Sequence, residues 1–95
     1  MRKGLIFYNV IEFFENKDKI KEIYQELSID EIEYFKLYVY ALPYMEENVK
    51  DLIWEWLNSN GEVEIISDLG KYYGKAKRKL ENRKKYAVFN PNEII

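Results

Sequence analysis

The residues best suited to specific chemistry in this chain are lysines and arginines crowded into one short segment. The stretch KYYGKAKRKLENRKKY, residues 71–86, holds eight Lys and Arg side chains but a single acid, Glu81. The whole chain has a formal net charge of −2, so the remaining residues are strongly acidic. Neighbouring cations repel one another unless an anion neutralises them, and this segregation therefore favours an anionic partner.

A helix over this segment would carry a thin apolar stripe opposite a broad basic face. On a helical wheel, Ala76, Leu80 and Ala87 fall close together, and Leu80 is the expected apolar anchor to the core. Twelve residues of helix span about 18 Å. That length can lie in the major groove of DNA, which is about 12 Å wide.

The roles expected for the polar side chains follow from their places on the wheel. We expect Arg78, Asn82 and Lys85 to face base edges, and the flanking lysines to face phosphates. Arg83 lies beside the apolar stripe and is expected to reach a phosphate from the edge of the core. The predicted nucleic-acid-binding residues are Lys75, Lys77, Arg78, Lys79, Asn82, Arg83, Lys84 and Lys85.

Helical patterns dominate the elements that would position this segment. The apolar run of residues 4–16 predicts a buried helix, and residues 17–27 predict an amphipathic one. Ser28 and Glu31 form a capping box for a third helix that stops before Pro43. A fourth helix is expected to end at Asn60-Gly61. The chain is therefore predicted to be a compact all-α domain of four to six helices.

The C-terminal half also contains turn and strand signals. Leu69 is followed directly by Gly70, the aromatic Tyr73 comes three positions later with Gly74 next to it, and Leu80 lies six residues beyond Gly74. Residues 87–89 predict a short strand, which would give the fold a minimal β edge.

This pattern resembles the helix-turn-helix of winged-helix DNA-binding domains over residues 49–89. The resemblance implies a turn at Gly74, a recognition helix after it, a wing strand near residues 86–89, and binding of double-stranded DNA. The chain departs from the family at Lys75 and Arg83, where the family has apolar residues. The function expected from it is that of a small transcriptional regulator or DNA-architecture protein.

Two other interpretations of the basic segment stay open at the level of the sequence. It is also consistent with a solvated helix that balances an acidic body. Alternatively, its basic face docks on an acidic protein partner, as in a small accessory subunit of a larger machine such as a polymerase.

Aromatic residues make up 17% of the chain, which is more than one small core is expected to bury. They concentrate in residues 5–14 and 34–45. An exposed aromatic patch in the N-terminal half would suit dimerisation or partner docking. We therefore expect one domain over residues 1–95, with residues 1–45 as the association surface of a homodimer and residues 46–95 as the helix-turn-helix-like half.

An enzymatic function is not expected, because the usual catalytic groups are missing from the sequence. There is no His and no Cys, which removes the commonest general base and the preferred zinc ligands. Acidic residues cluster at residues 30–33, 46–51 and 62–68, where the first two clusters fit the first turns of helices. We expect no cofactor and no metal.

The sequence predicts a cytoplasmic protein without a membrane contact. It has no apolar stretch of about 18 residues and no signal peptide. Thr is absent and Gln occurs once, in a composition rich in Lys, Glu, Ile and Tyr. This bias is typical of hyperthermophile proteins, and AT-rich genomes produce a similar one.

Overall fold

The structure is a computed structural model that describes the backbone of residues 5–89 and the side chains of residues 5–83. Within these residues the chain forms five α-helices and no strand, which confirms the predicted all-α class with four to six helices. The helices are α1 (Val10–Glu15), α2 (Lys17–Tyr24), α3 (Ile29–Tyr40), α4 (Glu47–Asn58) and α5 (Val63–Phe89).

Local capping explains where several of these helices begin and end. The Ser28 side chain accepts from the Glu31 backbone N–H while the Glu31 carboxylate accepts from Ser28, so the predicted capping box of α3 is confirmed. Asn9 caps α1 by accepting from the Glu12 backbone N–H at 2.9 Å. Gly61 has a φ of +80° between α4 and α5, a left-handed conformation that glycine adopts without strain.

The helix predicted over residues 4–16 is shorter in the structure, because α1 begins only at Val10. Residues 5–9 form an irregular segment before α1, which we call the strap, and Leu5 and Phe7 of this segment are buried. The Tyr38 hydroxyl donates to the Phe7 carbonyl and accepts from the Phe7 N–H. One tyrosine therefore satisfies backbone groups that a helix would have paired internally.

The turn predicted at Gly74 is wrong, since α5 continues as one helix from Val63 to Phe89. A glycine inside a helix costs only about 1 kcal/mol, too little to end it without a second signal. A Cβ added at Gly70 would lie 3.7 Å from the Phe14 ring, in ordinary van der Waals contact, so α5 passes close to α1 at this residue. Lys75 lies at the position where the second helix of a helix-turn-helix would need an apolar anchor. Its charge therefore also favours one continuous helix.

The short strand predicted at residues 87–89, and with it the wing strand, is also wrong because α5 extends to Phe89. Three residues of strand propensity at the end of a long helix have no partner strand within residues 5–89. Cooperative helix propagation therefore prevails there over local strand preference.

One aromatic-rich core takes side chains from all five helices and from the strap. Phe7, Phe13 and Phe35 are fully buried. The Phe13 ring meets the Phe7 ring edge-on at 5.1 Å and the Trp56 ring at 5.9 Å between centroids. Leu69 is the point at which α5 enters this core, with 0% of its surface exposed.

Candidate nucleic-acid interface

The C-terminal half of α5 leaves the core immediately after its last packed turn. Leu69 is buried and Ala76 is half-buried, but every side chain from Lys77 to Arg83 is exposed. Leu80, predicted as the main apolar anchor, is 40% exposed. The prediction for Leu80 is wrong because the core ends one turn earlier than the apolar stripe.

Lys77 links α5 to α1 at the point where the exposed, basic half of α5 begins. Its Nζ lies 3.7 Å from Glu15 Oε2 on α1 and donates to the Tyr73 hydroxyl at 3.1 Å. The Tyr73 hydroxyl donates in turn to Glu15 at 3.0 Å, and its ring stacks on Phe14 at 4.5 Å. The hydrogen bond to Tyr73 and the charge of Glu15 raise the pKa of Lys77. This lysine is therefore already paired within the molecule.

Arg78 and Asn82 lie on the opposite side of the helix from Ala76, facing away from the body. Both are exposed. The Arg78 Nε donates to the Gly74 carbonyl at 3.3 Å, which leaves the rest of the guanidinium facing solvent. Their outward placement is compatible with the base-edge role predicted for them.

Lys75, Lys79 and Arg83 lie on a different side of α5, where they line a hollow of about 420 Å³. We call this hollow the α5 groove. Its other walls come from the start of α1, the α3–α4 connection and the first turn of α4. The groove is lined by Asn9, Val10, Ile11, Tyr44, Met45, Glu46, Val49, Tyr72, Lys75, Ala76, Lys79, Leu80 and Arg83.

The predicted binding residues are thus divided among three surroundings rather than forming one continuous face. One is paired with α1, two point outward and three line the α5 groove. Lys84 and Lys85 lie within α5, but the structure describes only their backbone and not their side chains. Sequence reasoning missed the groove as a whole because its walls come from three regions far apart in the chain. The spacing of Lys75, Lys79 and Arg83 was the only signal for it.

A second candidate surface lies on the N-terminal half of the molecule. Ile6, Tyr8, Tyr34, Leu37 and Tyr38 line a hollow of about 470 Å³, and we call this set the apolar patch. Leu37 is 72% exposed and Tyr34 is 64% exposed. The patch combines residues from both segments in which the sequence concentrates aromatic side chains.

Other lysines are used as internal anchors at helix ends. Lys21 Nζ donates to the carbonyls of Trp56 at 2.9 Å and Ser59 at 2.7 Å, at the end of α4. Lys50 Nζ donates to the Tyr40 carbonyl at 3.0 Å, at the end of α3. A cation at a helix C-terminus is stabilised by the helix dipole. Burial lowers the pKa of Lys21.

Among the described residues, no group of three or more acidic side chains is arranged to hold a metal ion. In the same part of the chain, no helix has both the length and the apolar character to cross a membrane. Comparison of the chain with protein-family models, with curated proteins and with solved structures finds no match. The surfaces described above are therefore the basis for any functional assignment.

Proposed function

We propose that this protein binds double-stranded DNA through the basic half of α5. The observation that carries the proposal is the run of exposed side chains from Lys77 to Arg83 on a helix that has left the core. This run contains four cations and one acid. The side of α5 that carries Arg78 and Asn82 faces away from the body, and a helix can enter a major groove with such a side.

The division of the side chains suggests how such a helix would contact DNA. Arg78 and Asn82 would point toward the base edges, because they face away from the body. Lysines on either side would lie against the two phosphate backbones that border the groove. A long basic helix could bind in this way without the turn that a helix-turn-helix requires, as basic-region helices do in general.

The apolar patch supports the proposal that the protein acts as a homodimer. None of its five members carries a formal charge at neutral pH, so two copies can meet across a two-fold axis without like-charge repulsion. Exposed apolar side chains grouped around a hollow are typical of interaction surfaces. Dimerisation would present two basic helices and so increase the number of phosphates contacted.

The DNA proposal is tested by measuring the affinity for a random-sequence duplex as a function of salt. Between about 50 and 200 mM salt, log affinity should fall linearly with log salt, by about 0.9 for each phosphate neutralised. Arg78→Ala should weaken binding by about 1–3 kcal/mol if the arginine contacts a base. Lys19→Ala is the matched control, since Lys19 is an exposed cation on α2 rather than on α5.

The outcome also distinguishes two kinds of DNA-binding protein. A sequence preference that Arg78→Ala abolishes at one base pair indicates a transcriptional regulator. Binding that is equal on all sequences indicates a DNA-architecture protein. Absence of binding, or binding that does not depend on salt, would contradict the DNA proposal altogether.

The dimer is tested separately by light scattering. Wild type should be dimeric at high micromolar concentration, whereas Leu37→Glu should be monomeric because the two-fold contact would bring two buried carboxylates together. Val63→Glu is a suitable control, since Val63 is 76% exposed but lies outside the patch. A monomeric wild-type protein would refute the dimer without affecting the DNA proposal.

A further inference from the structure

The α5 groove has a composition that DNA binding does not explain. Its lining includes four apolar side chains, Met45, Val49, Ala76 and Leu80, which we call the floor. Leu80, one of these four, is 40% exposed. Double-stranded DNA would neutralise cations at the rim but would leave the apolar floor in contact with water, which is unfavourable for exposed apolar surface.

One wall of the groove is a regular row of cations. Lys75, Lys79 and Arg83 follow one another at intervals of four residues, so their Cα atoms form a line about 12 Å long on the surface of α5. Within residues 5–83, none of these three side chains forms a hydrogen bond or an ion pair. The opposite wall contributes a single acid, Glu46.

We propose that the α5 groove is the docking site for an acidic amphipathic helix of a protein partner. Its apolar side chains would fill the floor, and its carboxylates would pair with Lys75, Lys79 and Arg83. A volume of about 420 Å³ is at the lower end of ligand sites. It suits the apolar face of one helix inserted from outside, which is a recurrent mode of peptide recognition.

Charge complementarity favours this occupant over a small amphiphile. A fatty acid would fill the floor but has one carboxylate for three cations. Acidic residues four apart on a helix are separated by about 6 Å, which matches the interval between the cations on α5. Such a helix therefore satisfies the row of charges and the apolar floor together.

The groove and the outward face of α5 can be separated by mutation. Arg78 lies on the opposite side of the helix from Ala76, and it does not line the groove. The docking proposal is therefore independent of DNA binding by Arg78 and Asn82. Lys75, Lys79 and Arg83 would pair with the partner helix in that complex, whereas in the DNA complex the same side chains are available to phosphates.

The test uses a labelled synthetic helix of about 15 residues with leucines at i, i+4 and i+7 and glutamates beside them. A matched peptide has every glutamate replaced by glutamine. Fluorescence anisotropy with the full chain should show saturable binding of the acidic peptide, and the glutamine peptide should bind about tenfold more weakly or worse. Methyl signals of Met45 and Leu80 should shift on addition of the acidic peptide.

Variants of the protein locate the binding. Lys79→Glu reverses one charge of the row and should lower the affinity for the acidic peptide by about tenfold. Ala76→Trp should weaken it similarly by filling the floor, while DNA affinity stays within about threefold of wild type because the outward face is unchanged. Arg78→Glu, the matched control, should leave peptide affinity within about threefold. Glu46→Gln should increase affinity, because it removes the one opposing charge.

Thermal unfolding of each variant confirms that it is folded. If Ala76→Trp does not fold, Lys79→Glu alone still tests whether the peptide binds in the α5 groove. Equal affinity for the two peptides, or no binding of either, would overturn the proposal. Equal losses of peptide affinity from Lys79→Glu and Arg78→Glu would also overturn the proposal, because they would show diffuse electrostatic attraction instead of docking in the groove. Displacement of the peptide by dodecanoate at lower concentration than by unlabelled peptide would assign the groove to a single-chain amphiphile instead.

Discussion

Glu15 Oε2 lies 3.7 Å from Lys77 Nζ, so a carboxylate of α1 pairs with a lysine where the exposed, basic half of α5 begins. The Tyr73 hydroxyl completes the contact by donating to Glu15 and accepting from Lys77. Beyond this point the described side chains of α5 are exposed. The pair therefore marks the boundary between the part of α5 that belongs to the core and the part that is available to partners.

The first prediction concerns this boundary and the DNA proposal. Lys79→Ala should lower the salt slope of DNA binding by about one unit if Lys79 neutralises a phosphate. Lys77→Ala should lower it by less, because the charge of Lys77 is already partly neutralised by Glu15. Glu15→Gln should raise DNA affinity by releasing Lys77. Identical slopes for Lys77→Ala and Lys79→Ala would show that the contact with Glu15 does not persist in the complex.

The second prediction compares two leucines on α5. Leu69→Ala should lower the free energy of unfolding by about 2–5 kcal/mol, because Leu69 is fully buried and its removal leaves a cavity. Leu80→Ala should cost less than about 1 kcal/mol, since its side chain is 40% exposed. Urea unfolding of both variants measures the difference. A large loss from Leu80→Ala would place the end of the core further along α5.

The third prediction distinguishes one continuous helix from a helix-turn-helix. No atom lies within 4 Å of a Cβ added at Gly74. Gly74→Ala should therefore stabilise the protein by about 0.5–1 kcal/mol, because alanine has the higher helix propensity and the smaller unfolded-state entropy.

Gly61→Ala provides the contrast for this measurement. Gly61 has a positive φ of 80°, which costs a residue with a Cβ roughly 1 kcal/mol or more. The two substitutions should thus have opposite signs in thermal unfolding. Destabilisation by Gly74→Ala would indicate a turn at Gly74 in solution.

The fourth prediction concerns the pH dependence of stability. The Tyr40 hydroxyl donates to Asp51 Oδ1 at 2.7 Å, and burial together with this hydrogen bond raises the pKa of Tyr40 to about 12. The unfolded chain has a Tyr pKa of about 10. The folded state therefore favours the neutral phenol. Its contribution to stability is complete below pH of about 10 and is lost as the pH rises toward 12.

Tyr40→Phe removes this contribution and serves as the control. Denaturant unfolding between pH of about 8 and 12 should show a smaller loss of stability at high pH in the variant than in wild type. The difference in phenolate absorbance between the two proteins should have its midpoint near pH 12. A midpoint near the ordinary tyrosine value would mean that the hydrogen bond to Asp51 is absent.

Signals that act within one or two helical turns were sufficient to predict most of the element boundaries. Ser28 and Glu31 define the start of α3, Pro43 follows its end, and Asn60-Gly61 separates α4 from α5, as the sequence indicates. Caps and breakers depend on the backbone of a few neighbouring residues, so they can be recognised without knowledge of the fold. The all-α class follows from the same patterns.

The sequence by itself also determined that cations concentrate between Lys71 and Lys85, whereas only the tertiary structure decided how they are divided. Gly74 has the residue type of a turn, but α5 continues through it, with Leu69, Gly70 and Tyr73 packed against the core and α1 just before it. Glu15 pairs with Lys77. Met45 and Val10 lie opposite another side of α5 and form the α5 groove with it. These partners are distant in the chain, and pairing between distant residues depends on how the helices pack rather than on local propensity.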